Sequence, residues 1–150
     1  MQTRKQITVF LESKPGRLAQ ILSELAKSKI NIVALSVMDK HEHNVLRLVT
    51  EDEAGTVRVM QGLNTPFTES DVLAVELKNQ PGALAHICEV LAADHIGIDY
   101  AYCSSGGRNG KVFGIFKVAN LDKARRVLGE PHNNKRVELR PLRDQRAYKK

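Results

Sequence analysis

The chain has 150 residues, 42% of them apolar and 27% charged, with a formal net charge of +6. These levels are ordinary for a globular protein and exclude a disordered chain, and no run approaches the ~20 apolar residues that a membrane-spanning helix needs. The charge does not by itself point to nucleic acid: residues 135–150 carry seven Lys or Arg against two Asp or Glu, so this end segment holds +5 of the total.

The start, Met1-Gln2-Thr3-Arg4-Lys5-Gln6, passes straight into a strand-like pattern with no signal-peptide apolar stretch. Cys88 and Cys103 lack metal-ligand spacing. Both features lead us to expect a reduced, cytoplasmic protein.

Ile7, Val9 and Leu11 alternate with polar residues, which predicts a strand. Ser13-Lys14-Pro15-Gly16-Arg17-Leu18-Ala19-Gln20-Ile21 follows. Pro15 suits the first turn of a helix, and Ser13 can return a side-chain oxygen to the free N–H groups there. Leu18, Ile21, Leu22, Leu25 and Ala26 fall at helical spacing and predict a core-facing helix. Strands are expected at Ile30–Met38 and Val45–Thr50, joined by a turn through Asp39 and Asn44. Asp52 opens a helix running to about Leu63, weakened by Gly55. Pro66–Glu69 is a candidate closing strand.

The same phrases then return at an offset of 66 residues. Val75 and Leu77 repeat Val9 and Leu11, and Asn79-Gln80-Pro81-Gly82-Ala83-Leu84-Ala85-His86-Ile87 repeats the Pro-Gly segment, with Asn79 in the capping place of Ser13 and Pro81 in that of Pro15. Leu84, Ile87, Cys88, Leu91 and Ala92 repeat the helix face, so Cys88 reads as a small core residue. Strands are expected at Ile96–Cys103 and Lys111–Val118, a helix at Leu121–Leu128 capped by Asn120 and stopped by Gly129, and a closing strand at Arg136–Leu139. A shared offset over this span means two copies of one unit.

Each copy therefore reads β-α-β-β-α-β, the split βαβ order. The expected fold class is α+β, with two tandem ferredoxin-like βαββαβ units at 1–69 and 70–141 and a solvated basic tail at 142–150. A unit of roughly 70 residues has a marginal core alone, so the two should pack as one body.

With strand, x-x-Pro-Gly-x-Leu-Ala, helix and then Ile30-Asn31-Ile32 (Ile96-Gly97-Ile98 in the second copy), the chain resembles the ACT domain family. More narrowly it is similar to small standalone tandem ACT proteins. The resemblance implies a regulatory, non-catalytic protein without cofactor that binds an amino acid. The ligand would sit between the first loop of one unit and the second strand of the other.

An amino acid zwitterion needs donors for its carboxylate and acceptors for its ammonium. A helix N-terminus supplies the first, glycine lets a ligand approach the backbone, and an Asn amide supplies both. In amino-acid-binding ACT pairs an Asn precedes Pro-Gly by two residues and another opens the second strand. Asn79 and Asn31 match those places. This implies a site of Asn79, Gln80, Gly82, Ala83 and Leu84 on one side, with Asn31, Ile32 and Val33 on the other. The mirrored site, Ser13, Lys14, Gly16, Arg17 and Leu18 against Gly97, Ile98 and Asp99, has lost both amides. Leu77 stands where serine-binding relatives are polar, which favours an apolar ligand.

Other signals are weaker. His41-x-His43 offers too few ligands for a metal. The Gly106–Lys111 stretch delivers its Lys to a strand, not to the helix start that a phosphate loop requires. An RNA-binding module of the same topology would need base-stacking aromatics on one sheet face, but Phe113 and Phe116 lie three apart and face opposite sides. Tyr100 and Tyr102 share a strand face; they could line a pocket, and packing against a helix is the favoured expectation. The expected partners are an amino acid and, beyond it, a second copy or a regulated enzyme, with neither membrane nor nucleic acid. The alternatives are the RNA-binding module and a structural interaction protein without ligand.

Overall fold

The computed structural model describes residues 1–40, 43–104 and 111–129. His41, the expected closing strand Arg136–Leu139 and the basic tail lie outside the described residues.

The elements follow in the order β1 (Gln2–Glu12), α1 (Arg17–Lys27), β2 (Ile32–Lys40), β3 (His43–Thr50), α2 (Glu53–Gly62), β4 (Phe67–Lys78), α3 (Ala83–Ala93), β5 (Ile98–Cys103), β6 (Lys111–Val118) and α4 (Leu121–Gly129). Among the described residues they build one six-stranded sheet, β2-β3-β1-β4-β6-β5, antiparallel throughout. The two expected ferredoxin-like units are both present and share this sheet.

β4 is where they join. It runs without a break through the boundary expected at residues 69 and 70. Its first part pairs with β1 and closes the first unit, and Leu73–Lys78 pairs with β6 and opens the second. In return Gln2–Arg4 pair with Ala74, Leu73 and Val72. The start of β1 thereby does for the second unit what Phe67–Glu69 do for the first.

Period two decides which side chains meet the helices. Ile7, Val9 and Leu11 join Ile21, Leu25, Ile30, Leu46, Leu48 and Met60 in one core. Leu73, Val75 and Leu77 join Leu91, Ile96, Phe116, Val118 and Ala124 in its repeat. The helix faces are narrower than their spacing predicted: Ala26, Ala92 and Leu84 are exposed. Gly55 proves useful in α2, because a Cβ there would collide with the Asp52 carboxylate that caps the helix through the Gly55 N–H.

The helix-free face is partly filled as well. The sheet curls until β2 lies against β5 and β6 across it. Ala34, Val49, Val72, Ala74 and Ile115 pack there with Val33, Tyr102 and Phe113. Tyr100 and Tyr102 thus face away from the helices, contrary to expectation. Their anchor is Gln6, which is wholly buried. Gln6 Nε2 donates to Tyr100 Oη at 2.7 Å, and Tyr102 Oη donates to Gln6 Oε1 at 2.9 Å. A buried amide with both ends bonded pins β5 onto β1.

Candidate ligand site

The two Pro-Gly turns have one geometry. Lys14 N donates to Glu12 O and Gln80 N to Lys78 O, each at 2.8 Å. Gly16 and Gly82 are the N-caps, at φ 84° and 85°. That left-handed region explains the glycines, since a Cβ at either would meet nothing within 4 Å. Pro15 and Pro81 consequently precede the caps and do not occupy the first helical turn.

The caps correct a second expectation. Neither helix has a side-chain cap, so Ser13 and Asn79 do not serve α1 and α3. With Gly82 as N-cap, Asn79 lies too far upstream to reach the first-turn N–H groups. Arg17 N and Ala83 N donate to Lys14 O and Gln80 O at 3.4 and 3.3 Å, and beyond them both helix starts retain free N–H groups and the positive end of the dipole.

The turns differ in what crosses them. In the first copy Lys14 Nζ pairs with Glu12 Oε2 at 2.6 Å, which lowers the Glu12 pKa from its ordinary value. Arg17, the first residue of α1, donates to Gln20 Oε1 at 2.7 Å and to Thr65 Oγ1 at 3.2 Å. Glu12, Lys14, Gly16, Arg17 and Gln20 line a shallow cavity of about 540 Å³. In the second copy the corresponding residues are Lys78, Gln80 and Ala83, which cannot repeat either the ion pair or the arginine's hydrogen bonds. Asn79 is exposed there, and Leu84 beside it is 42% exposed.

The strand halves also superpose. The Asn31 carbonyl accepts from Glu51 N and the Gly97 carbonyl from Ala119 N, both at 3.0 Å. The left-handed residues of these turns are Lys29 and His95, at φ 57° and 54°, two positions upstream. Asn31 and Gly97 therefore do not owe their identity to the turn. A Cβ at Gly97 would meet only Ala119 Cβ, at 3.9 Å.

Ile32 and Val33 line a cavity of about 410 Å³ with Ala34, Leu35, Cys103 and Ser104. The opposite wall is the end of β5, not the Asn79 turn. Leu18 packs against the first core and Ile98 is partly exposed, while Asp99 lies at the β5 bulge. Sequence reasoning missed the mixed apolar and polar cavity on the helix-free face, lined by Thr8, Phe10, Arg47 and Tyr100 among others.

Among the described residues no cluster of three His, Cys, Asp or Glu could hold a metal, and no helix is long and apolar enough to cross a membrane. Phe116 is fully buried among the helices and Phe113 lies on the other face, so they form no shared stacking platform.

A family model described as an ACT domain pair matches residues 2–138. Among solved structures, the chain is similar to protein BT0572 from Bacteroides thetaiotaomicron, at 30% identity and a TM-score of 0.77, over 85% of this chain and 87% of that one. The fold is also that of the ligand-free regulatory subunit of aspartate kinase from Thermus thermophilus, at 10% identity, TM-score 0.61, and 86% and 96% coverage. The Thermus flavus regulatory subunit gives 13%, 0.56, and 86% and 92%. No curated protein matches the chain.

Proposed function

The chain belongs to the ACT domain family as a pair of such domains, and from that premise we propose that it is a non-catalytic regulatory protein that binds a free amino acid with an apolar side chain. The carboxylate meets the free N–H groups at the start of α3, near Gly82, Ala83 and Leu84. Asn79, with Gln80 beside it, and Asn31 bind the polar groups, and Ile32, Val33 and Leu84 receive the side chain. The fold is shared with aspartate kinase regulatory subunits. By analogy with those subunits, the partner is a regulated enzyme.

One observation supports the choice of this half-site over its mirror. Arg17 and the Lys14–Glu12 ion pair flank the Ser13–Gly16 turn, whereas Ala83, Gln80 and Lys78 stand in those places at the Asn79–Gly82 turn and leave it without that charged pair. Within one chain Ile32 and Val33 face the end of β5, so the Asn79 turn that completes the site comes from a second chain.

Calorimetry against the proteinogenic amino acids tests the reading. Asn79→Ala and Asn31→Ala should each weaken binding about 10- to 150-fold, the worth of a hydrogen bond to a charged group, and Ser13→Ala should change it little. Equal losses from Ser13→Ala and Asn79→Ala, or no binding of any amino acid at about millimolar concentration, would overturn it.

A further inference from the structure

The helix-free face carries a cavity that the amino-acid site does not use. Its volume is about 360 Å³, and Thr8, Phe10, Met38, Asp39, Val45, Arg47, Thr68, Ser70 and Tyr100 line it. Strand register explains the arrangement. Arg47, Thr8 and Thr68 lie side by side across β3, β1 and β4, with Met38, Val45 and Phe10 in the next row. Tyr100 reaches over from β5, and the Arg47 guanidinium stacks 3.9 Å from its ring centroid.

The repeat supplies an internal control. Thr8 pairs with Arg47 where, in the second copy, Ala74 pairs with Ile115. Tyr100 corresponds to Ala34. Ala74, Ile115 and Ala34 pack as apolar core, so this backbone accepts apolar filling at these places. The first copy has a cation, hydroxyls and a void there instead. Among the described residues Arg47 forms no ion pair, and its guanidinium contacts are Met38 Sδ at 2.8 Å and the Tyr100 ring. Stacking holds the fork in place and leaves donors for a ligand.

We propose that this cavity is a second ligand site, within one copy of the chain, for a small organic acid with an apolar body. Arg47 receives the carboxylate, with Thr8, Thr68 and Ser70 as flanking hydroxyls, and Phe10, Met38 and Val45 cover the apolar part. A single guanidinium with Asp39 nearby suits one negative charge better than a phosphate dianion. The volume is in the range of small-molecule pockets, ~300–1,000 Å³.

The test uses the full chain and 4-methylpentanoate, which lacks the ammonium that the amino-acid site requires. The chain has no Trp, and Tyr100 lies in the cavity wall, so intrinsic tyrosine fluorescence reads occupancy. Saturable quenching by the acid and none by 4-methylpentanamide is expected. Arg47→Ile, the residue of the second copy, should weaken binding at least about tenfold, and Thr8→Ala by less. Asn79→Ala should leave it unchanged, which separates this site from the amino-acid site. Circular dichroism establishes that the variants fold, and Ser70→Ala with Thr68→Ala provides a second route if Arg47→Ile does not. No saturable response by about 10 mM, or equal affinity in the native chain and the folded variants, would overturn the proposal.

Discussion

Lys5 and Asp71 occupy the same position of the repeat, and they are also each other's partner in the sheet. Their Cα atoms are in register between β1 and β4, and Lys5 Nζ lies 2.9 Å from Asp71 Oδ1. A residue that pairs with its own equivalent sits on the axis relating the two copies. Every pair about it follows, from Gln2 opposite Ala74 to Val9 opposite Phe67. The ion pair raises the Lys5 pKa, chiefly through its hydrogen bond to Asp71. Both side chains are open to solvent, so the pair marks the axis more than it holds it. Asp71→Asn should leave the urea midpoint nearly unmoved near neutral pH, and a large drop would show that the axis depends on the charges.

Gln6 carries more. Its equivalent is Val72, yet Gln6→Val should destabilise the chain by about 1–3 kcal/mol, because the half-buried Tyr102 hydroxyl loses its acceptor. Adding Tyr102→Phe should recover much of that cost. Urea denaturation of the two single variants and the double measures the coupling directly.

Burial holds the Tyr102 phenol above its ordinary value of 10.0, with Tyr100 acting in the same direction and Arg47 against it. A raised native pKa means that its contribution is complete below the unfolded value and is lost as pH rises through and beyond it. Stability should therefore fall above about pH 10. Tyr102→Phe should blunt that fall, and an ultraviolet tyrosinate titration should show one phenol resisting ionisation in the native chain.

Gly16→Ala and Gly82→Ala should cost the same, about 1–2 kcal/mol each, because the penalty is the left-handed backbone and not a clash. Chemical denaturation compares them, and unequal costs would mean that the turns are not equivalent.

The asymmetry between the half-sites can be reversed by design. Ala83→Arg should place at the second turn the arginine of the first and weaken amino-acid binding about tenfold or more. Arg17→Ala with Ser13→Asn and Gly97→Asn should do the reverse at the mirrored site, and the space at Gly97 permits the change. Calorimetric stoichiometry should then rise from one ligand per chain to two.

The 66-residue repeat, the alternating strands and the amphipathic helices were readable because each is a local regularity of period 2 or 3.6. The caps Asp52 and Asn120 were readable for the same reason, since each bonds a backbone N–H three residues ahead. Local reasoning failed at Asn79, where a left-handed Gly82 took the cap and left the amide exposed. Tertiary structure alone decided that β4 serves both units, that Gln2–Arg4 close the second, and that the sheet curls. Those outcomes depend on which strands pair and in what register. Gln6 meets hydroxyls 94 and 96 residues away, and Arg47 meets a ring on a strand of the other unit. No periodicity along the chain encodes such contacts, because they exist only once the two copies have been joined about Lys5 and Asp71.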